Sequence, residues 1–283
     1  MKKLLILSGK GGTGKTTIAS CFIKLSKSNN FADCDVEAPN LHLLYKKGKE
    51  NSKPYYGLKK AKINKEKCLN CGICQDNCRF NAIDYKDRQN QVNTYKCEGC
   101  GVCGLVCPNE AIDYIDSVSG SIDLYKNEYL FSTGSLKMGS GNSGLLVTEV
   151  KKQLDENYKR FTIIDGPPGI GCPVIASISG VDFVLIVTEP SYSGFSDLKR
   201  IIKTVKKFKI NFGVCINKFD INLNLSNIIR EYLFLNSYNY LGKISYSDKV
   251  DNIINKGELV IDFDYLIGEE IRKLFRQTIK LVD

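Results

Sequence analysis

The sequence predicts an α/β fold: a doubly wound, mostly parallel sheet with a small α+β domain inserted early in the chain. Three observations predict it. Short apolar segments alternate with stretches of helical period through most of the chain. A glycine-rich turn joins the first apolar segment to the first helical one. A cysteine pattern with its own repeat then fills one contiguous stretch and interrupts the alternation. At 283 residues, 43% hydrophobic and 25% charged, the chain is long enough to bury such a core, and disorder is excluded.

The elements follow in order. The apolar run over 3–7 is a strand, and 15–26 carries the first helix. Further strands are expected at 161–165, 182–188, 212–217 and 241–245, with helices near 144–156, 195–208, 227–235 and 269–281. Near-continuous apolar strands between helices mark a parallel sheet covered on both faces. The polar, turn-rich stretches Asn51-Ser52-Lys53-Pro54 and Asp116-Ser117-Val118-Ser119-Gly120 mark the limits of the insert. They divide the chain into a discontinuous body, 1–58 and 117–283, and an inserted domain, 59–116.

Composition removes several function classes. The net charge is +9, from 40 Lys and Arg against 31 Asp and Glu, and it is spread along the chain without a basic tail. No nucleic-acid arm is therefore expected. The longest apolar runs, 4–7 and 183–187, fall far short of the roughly 20 residues that a membrane-spanning helix needs. Met1-Lys2-Lys3 before so short a run is no signal peptide, so a cytoplasmic location is expected. His42 is the only histidine, which leaves no His-based triad or zinc catalytic site; it reads as a packed or surface residue. Twelve cysteines in a reducing compartment point to metal or redox chemistry rather than disulfides.

Gly9-Lys10-Gly11-Gly12-Thr13-Gly14-Lys15-Thr16 fits the phosphate-loop pattern G-x-x-x-x-G-K-[ST] and lies between a strand and a helix. Glycines let backbone N–H groups converge on phosphate oxygens, and the helix N-terminus adds positive charge. Lys15 would reach the β and γ phosphates and the Thr16 hydroxyl a Mg²⁺ ion, with Thr17 completing the loop. Downstream, Asn217-Lys218-Phe219-Asp220 follows a strand and matches the N-K-x-D sequence that reads guanine in many GTPases. Asp33 and Asp35 lie in a segment that also reads as a capped, solvated loop.

The cysteines repeat with a period of 29: Cys68, Cys71, Cys74 and Cys78 recur as Cys97, Cys100, Cys103 and Cys107. Each half has the C-x₂-C-x₂-C-x₃-C spacing of bacterial ferredoxins, in which the fourth cysteine serves the other cluster. Cys68, Cys71, Cys74 and Cys107 would then hold one [4Fe–4S] cluster, and Cys97, Cys100, Cys103 and Cys78 the other. Zinc is the rival, although its sites usually space two C-x₂-C pairs further apart. Pro108 follows the last cysteine, whereas Arg79 replaces the proline of the first half. A charge there would raise the potential of a nearby cluster, unless the side chain points into solvent. Cys21 and Cys215 read as core residues, and Cys34 is open. Cys172 lies seven residues after Asp165 at an expected helix start. It is either a packed thiol or a transient ligand with a lowered pKa. The C-terminal Ile271, Leu274, Phe275, Ile279 and Val282 form one face of a basic amphipathic helix, expected to pack on the body rather than touch a membrane.

Lys10 is a second lysine within the loop, and here the sequence resembles the deviant Walker-A ATPases of the MinD/ParA/Mrp superfamily, with signature K-G-G-x-G-K-[ST]. The whole chain is similar to members that carry an inserted ferredoxin domain, relatives of the nitrogenase iron protein. The resemblance implies an ATP-sandwich homodimer in which Lys10 reaches nucleotide held by the second subunit. It also implies that Asp35 handles the attacking water, that Asp165 of Ile164-Asp165-Gly166-Pro167-Pro168 holds a Mg²⁺-bound water, and that Asn217 contacts adenine, hence ATP. The expected function is ATP hydrolysis, slow without a partner, coupled to electron transfer through two clusters. The alternatives are an iron–sulfur carrier of the Mrp kind and a spatial organiser of the ParA or MinD kind. The expected partner is a redox or cluster-acceptor protein, which the basic charge would suit if it is acidic.

Overall fold

A computed structural model describes residues 2–45, 49–126, 128–155 and 161–282. The first part of the body contains β1 (Lys2–Ser8), α1 (Lys15–Ser26), β2 (Asn30–Asp33) and β3 (Lys49–Tyr56). Next come β4 (Lys60–Ile63), α2 (Ile73–Asp76), β5 (Ile83–Lys86), β6 (Gln89–Val92), α3 (Val102–Leu105) and β7 (Ile112–Ile115). The chain returns through β8 (Val118–Lys126), β9 (Leu130–Leu136), α4 (Ser143–Lys152), β10 (Phe161–Pro168), α5 (Cys172–Ile178) and β11 (Phe183–Thr188). It ends with α6 (Tyr192–Lys207), β12 (Asn211–Asn217), α7 (Leu223–Leu235), β13 (Asn239–Ile244), α8 (Lys249–Asn255), α9 (Val260–Phe263) and α10 (Tyr265–Val282).

Nine strands form one sheet in the order β13, β12, β11, β1, β10, β2, β9, β8, β3. The first seven are parallel, and β8 and β3 close one edge antiparallel. Both faces are covered, which is why β1 is a continuous apolar run. Leu5 and Leu7 point into a core shared with α4, α5, α6 and α7, while Leu4 and Ile6 point into the opposite core with α1 and α10. Burying each such side chain stabilises by about 1.5–3 kcal/mol. The apolar stripe of α10, including Ile271, Leu274 and Val282, is buried in that second core. Among the described residues no helix is long and apolar enough to cross a membrane.

The antiparallel edge differs from the sequence expectation. Residues 51–54 and 118–120, expected as turns, are paired strands, with Asn51 opposite Leu124, Pro54 opposite Ser121 and Tyr55 opposite Gly120, while Asp116 and Ser117 lie between β7 and β8 as a connection. Proline is accommodated because β3 is an edge strand and needs fewer ladder donors. Gly120 is required by close packing, since a Cβ there would collide with the Ser135 carbonyl. Strands β2 and β9 lie outside the apolar pattern as well, because their polar Asn30, Asp33, Ser132 and Thr133 are buried against the rule of alternation. Helix α4 ends at Lys152, short of the expected 156, a position outside the described residues.

Between β3 and β8 the chain leaves the sheet. Residues 60–115 form two small ladders, β4 with β7 and β5 with β6, around a core of Ala61, Ala82 and Cys97.

Candidate functional site

The phosphate loop connects β1 to α1 at the edge of a cavity lined by Gly11 to Ile18, Asp35, Asn217 and Tyr246. Gly12 and Gly14 are left-handed, with φ of 76° and 83°, a conformation that glycine adopts without penalty. At Gly14 a side chain would also strike the Asn217 amide. Asn217, at the end of β12, donates from Nδ2 to the Thr13 carbonyl at 2.8 Å, and Lys218 Nζ donates to the Gly12 carbonyl at 3.0 Å. Gly9 makes room for α6, where any Cβ would meet Asp197. Neighbouring strand ends thus fix the loop through its own backbone oxygens.

Lys15, the first residue of α1, is nearly buried. Its ammonium donates to Asp165 Oδ1 at 3.1 Å and lies 3.7 Å from Asp35 Oδ2. Burial lowers its pKa, but Asp165, Asp35 and Asp33 outweigh it and leave the pKa raised. Asp165 is fully buried on β10, and its Oδ2 has no hydrogen-bond partner. A carboxylate oxygen is the hard donor type that Mg²⁺ takes. Asp35 has a raised pKa through burial, opposed by Lys15.

Asp33 departs from the solvated loop that the sequence allowed. It is fully buried and accepts three backbone N–H groups at 3.0 Å each, from Asp35, Asn40 and Leu41. Burial first, then Asp165, pushes its pKa up to about 7, against the Leu41 N–H and Lys15. Asp33 therefore sets the course of the 35–41 loop and the position of Asp35. Its bond to the N–H two residues on is an Asx turn, the one signal of this role that the sequence contained.

Lys10 turns away from the cavity. Its ammonium pairs with Glu189 Oε1 at 2.7 Å and donates to Ser191 Oγ and Ser193 Oγ at 3.1 and 3.2 Å. Nothing in the sequence pointed to Glu189, which simply follows β11. The N-K-x-D tetrapeptide proves to be a stitch. Asp220 Oδ1 accepts the Tyr246 N–H at 2.7 Å and so anchors the loop after β13, while Tyr246, Ser247, Val250 and Asp251 line the far end of the cavity.

The eight motif cysteines fall into two sets. Cys68, Cys71, Cys74 and Cys107 line one cavity; Cys78, Cys97, Cys100 and Cys103 line another. Two short left-handed glycine turns, at Gly72 and Gly101, launch α2 and α3 and aim Cys74 and Cys103 inward. None of the twelve cysteines is joined in a disulfide. Among the described residues no three or more His, Cys, Asp or Glu side chains converge as one metal ion requires. Four thiols around one small cavity are a soft donor set, the kind that zinc and iron–sulfur clusters both take. Arg79 is exposed. Cys21, Cys34 and Cys215 are buried, and burial raises each thiol pKa. Cys172 is exposed at the start of α5 rather than packed.

Comparison with known proteins places this geometry. The family model described as the CobQ/CobB/MinD/ParA nucleotide binding domain matches residues 4–260. An uncharacterized protein of Methanocaldococcus jannaschii is 35% identical over 97% of this chain and 95% of its own length. An uncharacterized ATP-binding protein of the same organism is 27% identical over 98% of both. Among solved structures, the septum site-determining protein MinD of Pyrococcus horikoshii, complexed with Mg-ADP, superposes with a TM-score of 0.58 at 16% identity. That match covers 99% of this chain and 96% of that one, a likeness of fold. The chain belongs to the CobQ/CobB/MinD/ParA nucleotide-binding family.

Proposed function

We propose that this chain hydrolyses ATP as a nucleotide-dependent homodimer and couples the turnover to electron transfer through two [4Fe–4S] clusters held by an inserted domain, residues 59–116. The observation that carries this reading is the division of eight cysteines, four to each of two cavities, in a chain that also carries a phosphate loop.

In this reading the loop N–H groups and the N-terminus of α1 bind the phosphates. Lys15 exchanges Asp165 and Asp35 for phosphate oxygens and neutralises charge as it develops on them. Asp35, released from that ion pair, orients the attacking water and accepts its proton at a carboxylate oxygen. Thr16 and Asp165 would hold Mg²⁺, which supplies further charge neutralisation when bound. Lys10 would reach nucleotide on a second subunit by exchanging its same-chain partner Glu189 for phosphate oxygens. ATP rather than GTP is supported by the engagement of Asp220 with Tyr246 and by the similarity to a protein named as ATP-binding. Cys68, Cys71, Cys74 and Cys107 would hold one cluster and Cys78, Cys97, Cys100 and Cys103 the other, and bound clusters supply one-electron redox capacity.

The test is anaerobic purification with iron and sulfide counted, then EPR-monitored redox titration with and without Mg-ATP. About eight iron and eight sulfide per chain are expected, with one potential shifted by more than roughly 30 mV, about 0.7 kcal/mol for one electron. Zinc in place of iron would overturn the cluster assignment. Unshifted potentials would remove the coupling, and passage of clusters to an apo-ferredoxin would identify a carrier instead.

A further inference from the structure

The two cysteine half-repeats face different surroundings, and the difference begins at one repeat position. Leu69 and Glu98 are equivalent, 29 residues apart. Leu69 is 68% exposed. Glu98 lines the second cysteine cavity and also presses its carboxylate against Gly141, where any Cβ would overlap it. The next pair differs likewise. Asn70 uses its side chain within the first half, accepting the Asn90 N–H at 3.1 Å, whereas Gly99 leaves room for Leu58 and Lys59 of the incoming strand connection. At these two positions the second half abuts the body.

Gly141 lies just before Asn142, the N-cap of α4, so the Glu98 carboxylate sits where the helix dipole favours an anion. Helix α4 is fixed to α5 at both ends. At the start, a Cβ on Gly144 would lie 3.1 Å from the Cys172 carbonyl oxygen, so the two backbones touch. At the other end, Lys151 Nζ spends its three donors on the carbonyls of Ala176, Ser177 and Ser179, at 3.1, 2.7 and 2.5 Å. These are orphan acceptors at the C-terminus of α5. Helix α5 in turn follows β10, which carries Asp165, after the short loop from Gly169 to Gly171.

We propose that α4 and α5 move as one body that transmits changes in the loop after Asp165 to the Cys97–Cys103 turn, through the Glu98–Gly141 contact. Nucleotide at the phosphate loop then alters the second cysteine cavity and leaves the first unaltered. The proposal rests on the nucleotide-binding reading above and names its route of regulation. Coupling of this kind needs packed elements that shift together, and here each joint is a close backbone approach or a multiple hydrogen bond.

Amide hydrogen exchange on the full-length, cluster-loaded chain tests it, with and without a non-hydrolysable Mg-ATP analogue whose binding is measured in the same samples. Exchange over 98–104 should change about threefold or more and over 69–75 by less than about 1.5-fold. Glu98→Ala and Lys151→Met should each bring the first ratio below about 1.5-fold while nucleotide affinity stays within about twofold. A like response in both halves, or a response that survives in either variant, overturns the proposal. Failure to bind nucleotide sinks the functional reading and this route with it; binding without a response over 98–104 sinks the route alone.

Discussion

The nucleotide site and the cysteine cavities are built by opposite means. The first is assembled by a nine-stranded sheet with a core on each face, and even its charges are prearranged: Lys15 is nearly buried between Asp165 and Asp35. The second is held by two two-stranded ladders around three buried residues. A large core can impose a strained arrangement of like charges, whereas a core that small needs a further source of stability, which metal ligation supplies in small domains. Charge divides in the same way. Residues 60–115 carry eight basic and seven acidic side chains, so nearly all of the +9 lies on the body. Any attraction of an acidic molecule by this excess charge would accordingly act on the body more than on the cysteine-bearing segment.

Four experiments test this contrast. The largest effect is expected from Lys15→Met. Removing the cation leaves buried carboxylates unpaired, so urea unfolding should show a loss of about 3–5 kcal/mol, and nucleotide binding should vanish. Unchanged stability would mean that the body does not hold its charges under strain. Next, anaerobic removal of iron should speed protease cleavage within 60–115 by about tenfold or more. The thermal midpoint of the body should move by less than about 2 °C. Equal loss in both regions would erase the distinction between them.

The third concerns pH. With its pKa near 7 in the fold and about 3.9 unfolded, Asp33 stays protonated in the native state over a range where the unfolded chain has released its proton. Its contribution is whole below about pH 4 and is lost as pH rises through 7, with a slope of at most about 1.4 kcal/mol per pH unit. Chemical denaturation of Asp33→Asn across pH 4 to 8 should show that slope flattened; a profile parallel to wild type would place the buried charge elsewhere. The smallest effect is expected from Asp220→Ala, which removes one hydrogen bond to Tyr246 and should cost about 1 kcal/mol. Competition binding should leave the preference for ATP over GTP unchanged within about twofold. A switch in preference would restore Asp220 as a base-reading residue.

Legibility followed the strength of local patterns. The phosphate loop and the cysteine repeat were readable because glycine conformation and ligand spacing are local requirements. Strands such as β1 and β11, apolar throughout, were readable for the same reason. Strand β9 was not, because Ser132, Thr133 and Gly134 carry no apolar pattern. Ser132 is buried by donating to the Val150 carbonyl of α4, a partner far along the chain. Glu189 and Lys151 act on Lys10 and on the end of α5, contacts between segments that no spacing encodes. The edge strands β3 and β8 were mistaken for turns because Asn, Ser, Pro and Gly tolerate an exposed sheet margin as readily as a loop.

By itself, then, the sequence determined which chemistries this protein contains: a loop that cradles phosphates, eight thiols in two equivalent sets, and the parallel sheet between. Each depends on residues close in the chain, whose backbone conformations and spacings are fixed by short-range sterics. How these parts meet depended on long-range packing. It buried Asp33, turned Lys10 onto Glu189 and brought the second half-repeat, but not the first, against the loop before α4. The last two depend on residues brought together from far along the chain, Lys10 with Glu189 and Glu98 with Gly141, where packing and desolvation, not local propensity, set the lowest free energy.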